Sequence, residues 1–353
     1  MPTLYHVAEK AGVSKTLVSR VLNNQSGVSP ASRRKILDAM DAIHYVPNAL
    51  ARSLVLQKTN MLGVVLDSLC ETYYFDLIRG VEAAVDQAGY EVLFSSGREG
   101  LNRKEKTISF FSQGRVDGVI IYGSNLRDIE MIERLSKRTF PFVIVENEAN
   151  IPNINTVVLD NVLGGEMAVN HLVSLGCRNI WHFTGDMKRT ISQSRKNGYL
   201  KGMQKNGLSV KPNMIIESHF DMEYGYTQMK QLLRGLPPSP PGENRGLPDG
   251  IFFSADVTAV GAMEALMEAG IDIPGQIKIV GFDNDTYCMA RHAAPGLTTL
   301  SQPLAEMGAA AVFLLLSSIK NPEEKKQTKV FIPKLLVRES SVKTAVRPPV
   351  ETG

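Results

Sequence analysis

From residue 4 to residue 43 the apolar positions recur at helical spacing, and from residue 61 onward they gather into short unbroken blocks. Leu4, Val7, Ala8 and Ala11 fall on one face of a first helix, with Thr3 in the capping position. Gly12 permits a sharp turn, and Ser14 is placed to cap a second helix. On that helix Leu17, Val18, Val21 and Leu22 share one arc, while Lys15, Thr16, Ser19, Arg20 and Asn23 share the other. A third helix starts at Ser29 and Pro30, a cap followed by the residue that suits the first helical position. Its inner stripe is Ile36, Leu37, Met40 and Ile43.

After Met61 blocks and amphipathic stretches alternate. "MLGVVLD" reads as a buried strand, "YYFDLIRGVEAAVDQAG" as a helix, and "YEVLFSS" as the next strand. A helix near 102–113, "VDGVIIYG", a helix near 127–137, "PFVIVEN" and "NTVVLD" follow. A second run then takes in helix 161–176, "NIWHFTGD", helix 190–206, a strand near 213–218 and helix 223–234. It ends with "GIFFSAD", helix 256–269 and "KIVGFDN". Strands separated by helices make parallel sheets, so two such runs meeting near Asp160 predict two α/β lobes. Asp67, Glu146, Asp160, Asp186, Asp256 and Asp283 each close or directly follow an apolar strand. Ligands of open α/β sheets bind beyond the carboxyl ends of the strands, so these acids predict a polar cleft suited to a hydroxyl-rich ligand. For Asp160 and Asp256, each of which opens a helix, capping is the plainer role.

The charge of the chain changes how the first helices are read. Residues 1–60 hold eight Lys and Arg against three acids, a net of +5, whereas the rest holds 31 basic against 33 acidic residues, a net of −2. A small basic head on a near-neutral body is suited to a polyanion, or is simply a solvated terminus. Three short helices with a tight turn between the first two form a helix-turn-helix unit. Lys15 and Thr16 lie at the start of its second helix, where side chains reach base edges in a major groove. A basic three-helix module that docks another protein is the alternative.

Within this segment "TLYHVAEKAGVSKTLVSRVLN" resembles the DNA-binding head of the LacI/GalR family of bacterial transcription regulators, whose pattern reads roughly T-x-x-D-V-A-x-x-A-G-V-S-x-x-T-V-S-R-V-L-N. The resemblance makes Lys15 and Thr16 the variable base readers, and Ser14, Ser19, Arg20 and Asn23 the residues that hold phosphates or flank the bases. Two departures stand out. His6 replaces the usual Asp, so the acidic partner of the Thr3 cap is missing, and Leu17 replaces the usual Thr, with room to rotate into the apolar arc. "YVPNALARSLVLQKTN" then matches the family's hinge. A helix from Asn48 through Leu54 is too short to be stable alone. The resemblance implies that two such helices pair in a dimer and enter the minor groove, with Leu54 wedged between base steps and Ala51 allowing close approach. Val55 stands where many relatives carry a polar or basic residue. A plain linker is the alternative.

"NIWHFTG", "SRKNGYLKGM", "GIFFSADVTAVGAMEALMEAGIDIP", "IVGFDN" and "PGLTTLSQP" resemble the family's effector-binding core, which is related to periplasmic sugar-binding proteins. With the head, the resemblance reaches to about Arg338. It implies Arg195 and Asp283 as the best-placed effector ligands, a guanidinium fork and a carboxylate gripping polar groups from opposite sides. It also implies the aromatic pair Tyr74 and Phe75, the stacking Phe220, and, less directly, Arg189 and Asp256. Ala255 replaces an Asn often found before that Asp, which alters the contact set. Each has a plainer alternative: a surface helix residue for Arg195, a turn former for Asp283, core for Tyr74, Phe75 and Phe220. Trp181, inside a strand, reads as core. "GLPPSPPGENRGLPDG" reads as an exposed, partly stiff loop, and "SSVKTAVRPPVETG" lacks the heptad leucines of a tetramerising coil.

Cys70, Cys177 and Cys288 have no metal spacing, and three scattered cysteines suit a reducing cytoplasm. There is no signal-peptide pattern and no apolar run long enough to span a membrane. No Walker loop, G-x-S-x-G, H-E-x-x-H or strand-linked G-x-G-x-x-G occurs, and the six histidines are isolated. The sequence therefore predicts no catalytic or metal-ligating residue and no cofactor.

The expected fold is an all-α helix-turn-helix head plus an α/β two-lobed periplasmic-binding-protein-like body of two doubly wound parallel sheets. The expected domains are 1–46 for the head, 47–59 for the hinge, 60–340 for effector binding and dimerisation, and 341–353 for a flexible tail. Lobe one takes about 60–160 and 290–320, and lobe two about 161–289 and 321–340. The expected function is a cytoplasmic, homodimeric transcription regulator, a repressor, which binds operator DNA under control of a small-molecule effector, a sugar or sugar derivative, with no membrane partner. A sugar-binding or glycoside-processing protein with a basic docking head, and a regulator with a purine or phosphorylated effector, are the alternatives.

Overall fold

The structure is a computed structural model that describes residues 2–23, 25–46, 58–97, 101–148, 151–235, 246–285 and 295–343. It divides into two compact units, Met1–Thr59 and Asn60–Gly353.

In the first unit α1 (Leu4–Ala11), α2 (Lys15–Leu22) and α3 (Pro30–Ala42) close over Val7, Ala8, Val18, Val21, Ile36, Ala39 and Met40. Gly12 takes the left-handed conformation (φ 66°) that ends α1 and starts the turn, at no steric cost for a residue without Cβ. The Ser14 hydroxyl accepts the Leu17 amide at 3.3 Å, and the Ser29 hydroxyl accepts that of Ser32 at 3.1 Å, so both predicted caps are made. Leu17 is half-buried against the cluster, on the apolar arc.

The second unit holds two six-stranded sheets. The strands are β1 (Met61–Leu66), β2 (Glu91–Ser96), β3 (Gly118–Tyr122), β4 (Phe142–Val145), β5 (Asn155–Leu159), β6 (Ile180–Phe183), β7 (Ile215–Ile216), β8 (Gly250–Phe253), β9 (Lys278–Asp283), β10 (Thr298–Ser301), β11 (Thr328–Phe331) and β12 (Lys334–Leu336). The first sheet runs β11-β5-β4-β3-β1-β2 and the second β12-β10-β9-β8-β6-β7. All pairs are parallel except β10 with β12. Inner strands such as β3 and β8 are buried at every residue, as expected of sheets covered by helices on both faces.

The helices of this unit are α4 (Phe75–Gln87), α5 (Leu101–Phe111), α6 (Asp128–Ser136), α7 (Asn161–Ser174), α8 (Thr190–Lys205), α9 (Met222–Gly235), α10 (Asp256–Glu268) and α11 (Leu304–Lys320). The predicted strand near 213–218 shrinks to two residues, because Pro212 opens a 3-10 turn through Met214 and cannot donate to a ladder.

The chain passes between the sheets three times, after β5, after β10 and between β11 and β12. This differs from the expected lobe boundaries. Thr298–Ser301 lies in the second sheet, beside β9, rather than in lobe one. Residues 328–331 lie in the first sheet, beside β5, rather than in lobe two. Which sheet each of these strands joins depends on long-range pairing that local pattern does not encode. α11 is packed on α4 in lobe one, so closely that a Cβ on Gly80 would stand 2.0 Å from the Ala305 carbonyl oxygen, and one on Gly308 2.4 Å from that of Leu77.

Candidate DNA-reading helix and effector cleft

On the head, α2 leaves Ser14, Lys15, Thr16 and Arg20 exposed along one side, with Ser19 and Asn23 half-buried at its end. Val18 and Val21, on the opposite arc, are fully in the core, so packing alone fixes which side the polar residues present. The Lys15 ammonium lies 4.8 Å from the centre of the Tyr5 ring, a contact that limits its wandering. The Asn23 amide donates to Ser19 Oγ at 3.3 Å, while its own Oδ1 is buried with no partner among the described residues.

His6 does more than leave an acid out. The Thr3 amide donates to His6 Nδ1 at 3.0 Å, and the Thr3 hydroxyl lies 2.8 Å from the same nitrogen, so the ring nitrogen takes over the capping role as an acceptor. Asn48, Ala51 and Leu54 lie outside the described residues.

In the body, the carboxyl ends of both sheets face a cavity of about 210 Å³. Tyr74, Arg189, Arg195, Phe220 and Asp283 line it, together with Tyr73, Tyr122, Ile191 and Val257. Two of the expected effector residues lie elsewhere. Phe75, 39 % exposed at the start of α4, is not on the cavity wall. Asp256 is fully buried behind it, its carboxylate accepting Thr299 Oγ1 at 2.6 Å and the Asp285 amide at 3.0 Å. It is the first residue of α10 rather than the cap, which is Ala255.

Arg195 is the best-supported group in the cleft. One turn into α8, it is 1 % exposed, with its guanidinium 3.7 Å from the centre of the Phe282 ring. Nε donates to Asn161 Oδ1 at 2.9 Å, and Nη1 donates to the Ser254 carbonyl at 2.5 Å and to Asp283 Oδ1 at 3.2 Å. Nη2 is buried and has no partner among the described residues. Asp283 also accepts from Gln302 Nε2 at 2.6 Å. Its backbone at φ 115°, followed by Asn284 at 55°, is a strained pair that turns the carboxylate out of the end of β9. Burial lifts the Asp283 carboxyl to about 7, with Arg195 opposing and Asp285 adding to the rise.

The other strand-end acids are already engaged. Glu146 is buried, accepts the Leu159 amide at 2.8 Å and Asn161 Nδ2 at 3.2 Å, and is raised to about 7 by burial and then by Glu148. Asp160 caps α7 through the Leu163 amide at 2.8 Å. Asp186 closes a turn with the Lys188 amide at 2.9 Å. Asp67 accepts from Lys104 and Arg189. Of the six acids, only Asp283 reaches the cavity wall.

Much of the rest of the wall is tyrosine. Tyr73, Tyr74 and Tyr122 meet edge to face at 5.0–6.3 Å between centres, and burial pushes all three hydroxyls well above the ordinary tyrosine range. The Tyr73 hydroxyl donates to Gln302 Oε1 at 3.3 Å, and that of Tyr122 to Tyr73 at 3.4 Å. Sequence reasoning passed over Tyr73 and Tyr122. Tyr122 ends an apolar strand, as the six acids do, and that signal would have found it had it been read for every polar side chain rather than for carboxylates.

Among the described residues no cluster of His, Cys, Asp and Glu could hold a metal ion, and no helix is long and apolar enough to cross a membrane. Residues 3–48 match the description of bacterial regulatory proteins of the lacI family, and residues 169–341 that of a periplasmic binding protein-like domain. The HTH-type transcriptional regulator DegA of Bacillus subtilis (strain 168) is 33 % identical over 341 residues, 96 % of this chain and 98 % of DegA. The ribose operon repressor of Haemophilus influenzae is 30 % identical over 343 residues, 96 % of this chain and 98 % of the repressor. Among solved structures, the lac repressor dimer bound to operator and the anti-inducer ONPF superposes with a TM-score of 0.84 at 28 % identity, covering 97 % of this chain and 99 % of that one.

Proposed function

The chain belongs to the lacI family of bacterial regulatory proteins and is a DNA-binding transcription regulator under small-molecule control; from that premise we propose that its effector is an uncharged, hydroxyl-rich molecule of the sugar class. The observation that carries this reading is Arg195. Arg195 lines the cavity, its guanidinium is held on two sides by protein acceptors, and its buried Nη2 has no partner among the described residues, so a ligand oxygen that reached it would satisfy it. Asp283 is the facing acceptor for a hydroxyl. The charge of the wall argues against a phosphorylated ligand. Arg189 is paired with Asp67 and Arg195 with Asp283, so neither guanidinium brings an uncountered positive charge to the wall. Tyr74, Tyr122, Phe220, Ile191 and Val257 offer apolar surface to the flat face of a ring. The ribose operon repressor among its relatives agrees with a sugar.

On the DNA side, Lys15 and Thr16 read base edges while Ser14, Ser19, Arg20 and Asn23 hold the backbone. Asn48, Ala51 and Leu54 serve as the minor-groove hinge. Two chains are required, because one head covers one half-site, and the lac repressor was solved as a dimer on its operator. The protein acts as a cytoplasmic repressor, and ligand binding between the lobes shifts the population competent for the operator.

The test is thermal stabilisation of the full chain by neutral pentoses, hexoses and disaccharides, set beside purine bases and sugar phosphates. A ligand that binds only the native state raises the melting temperature. A rise with a neutral sugar that disappears in Arg195→Ala supports the proposal. A rise with a purine or a sugar phosphate alone overturns it.

A further inference from the structure

Lys104 is a lysine that the effector site, as described so far, does not use. It stands near the start of α5, is 3 % exposed, and does not line the cavity. All three of its ammonium protons are engaged, with Asp67 Oδ1 at 2.8 Å, Asp128 Oδ2 at 2.7 Å and the Tyr122 carbonyl at 2.9 Å. Burying such a charge is costly unless its partners are fully met, so the arrangement calls for an explanation beyond packing.

The explanation lies on the far side of Asp67. Its second oxygen accepts Arg189 Nη1 at 2.9 Å, and Arg189 belongs to the other lobe. Asp128, Lys104, Asp67 and Arg189 thus form a row of alternating charges, three from lobe one and the last from lobe two. Backbone bonds run beside it. The Leu126 amide donates to the Lys188 carbonyl at 2.9 Å, and the Thr190 amide to that of Ser124 at 2.8 Å. Arg189 also donates to Ser124 Oγ at 3.2 Å, and its guanidinium stands 5.6 Å from the centre of the Phe220 ring, on the cavity wall.

We propose that Lys104 is a positioning residue for the effector cleft, holding Asp67 at the angle from which it draws Arg189 across the gap and latches the lobes together. A single carboxylate gripped by two cations on different oxygens has little freedom to turn, so the angle at which Asp67 meets Arg189 is set from inside lobe one. Arg189 therefore enters the cleft with its charge already countered. An effector that draws Arg189 from Asp67 loosens the latch, and one that adds an acceptor beside Asp67 tightens it. This rests on lobe motion being the regulated step, but the experiment below reads the latch alone, so its failure leaves the effector reading standing.

The experiment is hydrogen exchange on the full chain, without ligand or DNA, followed at the amides of 124–127 and 188–191. Lys104→Met is expected to speed exchange there about tenfold while leaving β8 unchanged, because opening the lobes frees the cross-lobe amides and not the second lobe's core. Arg189→Ala is expected to have a similar effect, and the double variant no more than either alone, since both break one row. Unchanged exchange at these amides, exchange that rises only in step with β1 and β3, or factors that multiply in the double variant would each overturn the proposal. If Lys104→Met does not fold, Asp128→Asn carries the same test with the same outcomes, since it loosens Lys104 without touching Asp67 or Arg189.

Discussion

Single side chains on α2 and β6 show how far identity matters once position is set. Lys15 and Thr16 are exposed at the N-terminal end of α2, where the proposed reading of base edges would depend on side-chain identity. Exchanging either for another polar residue is expected to change the preferred operator while leaving affinity for random DNA within about twofold, as phosphate contacts supply the latter. Selection from a random-duplex pool checks this. His182 is the opposite case, fully buried and stacked on Phe252 at 4.6 Å, its Nδ1 3.0 Å from the Phe252 carbonyl and its Nε2 without a partner among the described residues. Burial holds its pKa down at about 3. The folded state therefore keeps it neutral where the unfolded chain, with an ordinary imidazole, takes up a proton. Its contribution is whole above about pH 6.5 and is lost progressively as pH falls toward 3. Urea unfolding should show the body weaker at pH 5 than at pH 7 by about 1–2 kcal/mol from this residue, a difference that His182→Phe should remove.

At the scale of elements, the ends of helices carry the information. α1 keeps a cap without an acid, because His6 Nδ1 accepts what a carboxylate would. It forgoes only the charge. His6→Asp should return a negative charge to the first turn and stabilise the head by about 0.3–1 kcal/mol, seen as a higher midpoint for loss of its helical signal at neutral pH. The proposed hinge is the contrasting element, because a helix from Asn48 through Leu54 would be too short to persist without a partner surface. Leu54→Ala is expected to weaken operator binding far more than binding to random DNA, because only the bent, specific complex gains from a wedge between base steps. Equal loss on both duplexes, measured by titration at fixed salt, would remove the wedge.

For the whole molecule the question is whether ligand and DNA are coupled or merely coexist. Arg195 is bonded to Asn161, Ser254 and Asp283, all in the body. Arg195→Ala should therefore abolish the effector's influence on operator binding while changing operator affinity itself by less than about threefold. Collapse of operator binding in that variant would show that the residue maintains the fold rather than the signal. The comparison requires a folded control, because losing a buried guanidinium leaves the half-buried Asp283 with one partner fewer.

The three helices of the head and the alternation of strands and helices in the body were legible in the sequence because each depends on short-range period and on caps a few residues away, as Ser14 and Ser29 show. Family resemblance pointed to Arg195 and Asp283, and both line the cavity. Tertiary structure alone decided which strand-end acids face the cavity, since a carboxylate's role depends on partners such as Lys104 for Asp67 and Thr299 for Asp256, 37 and 43 residues away along the chain. It also decided the tyrosine wall and which sheets β10, β11 and β12 join. Local propensity carries no record of such distant pairings, whereas the packing of two sheets against their helices leaves each strand only one edge to join.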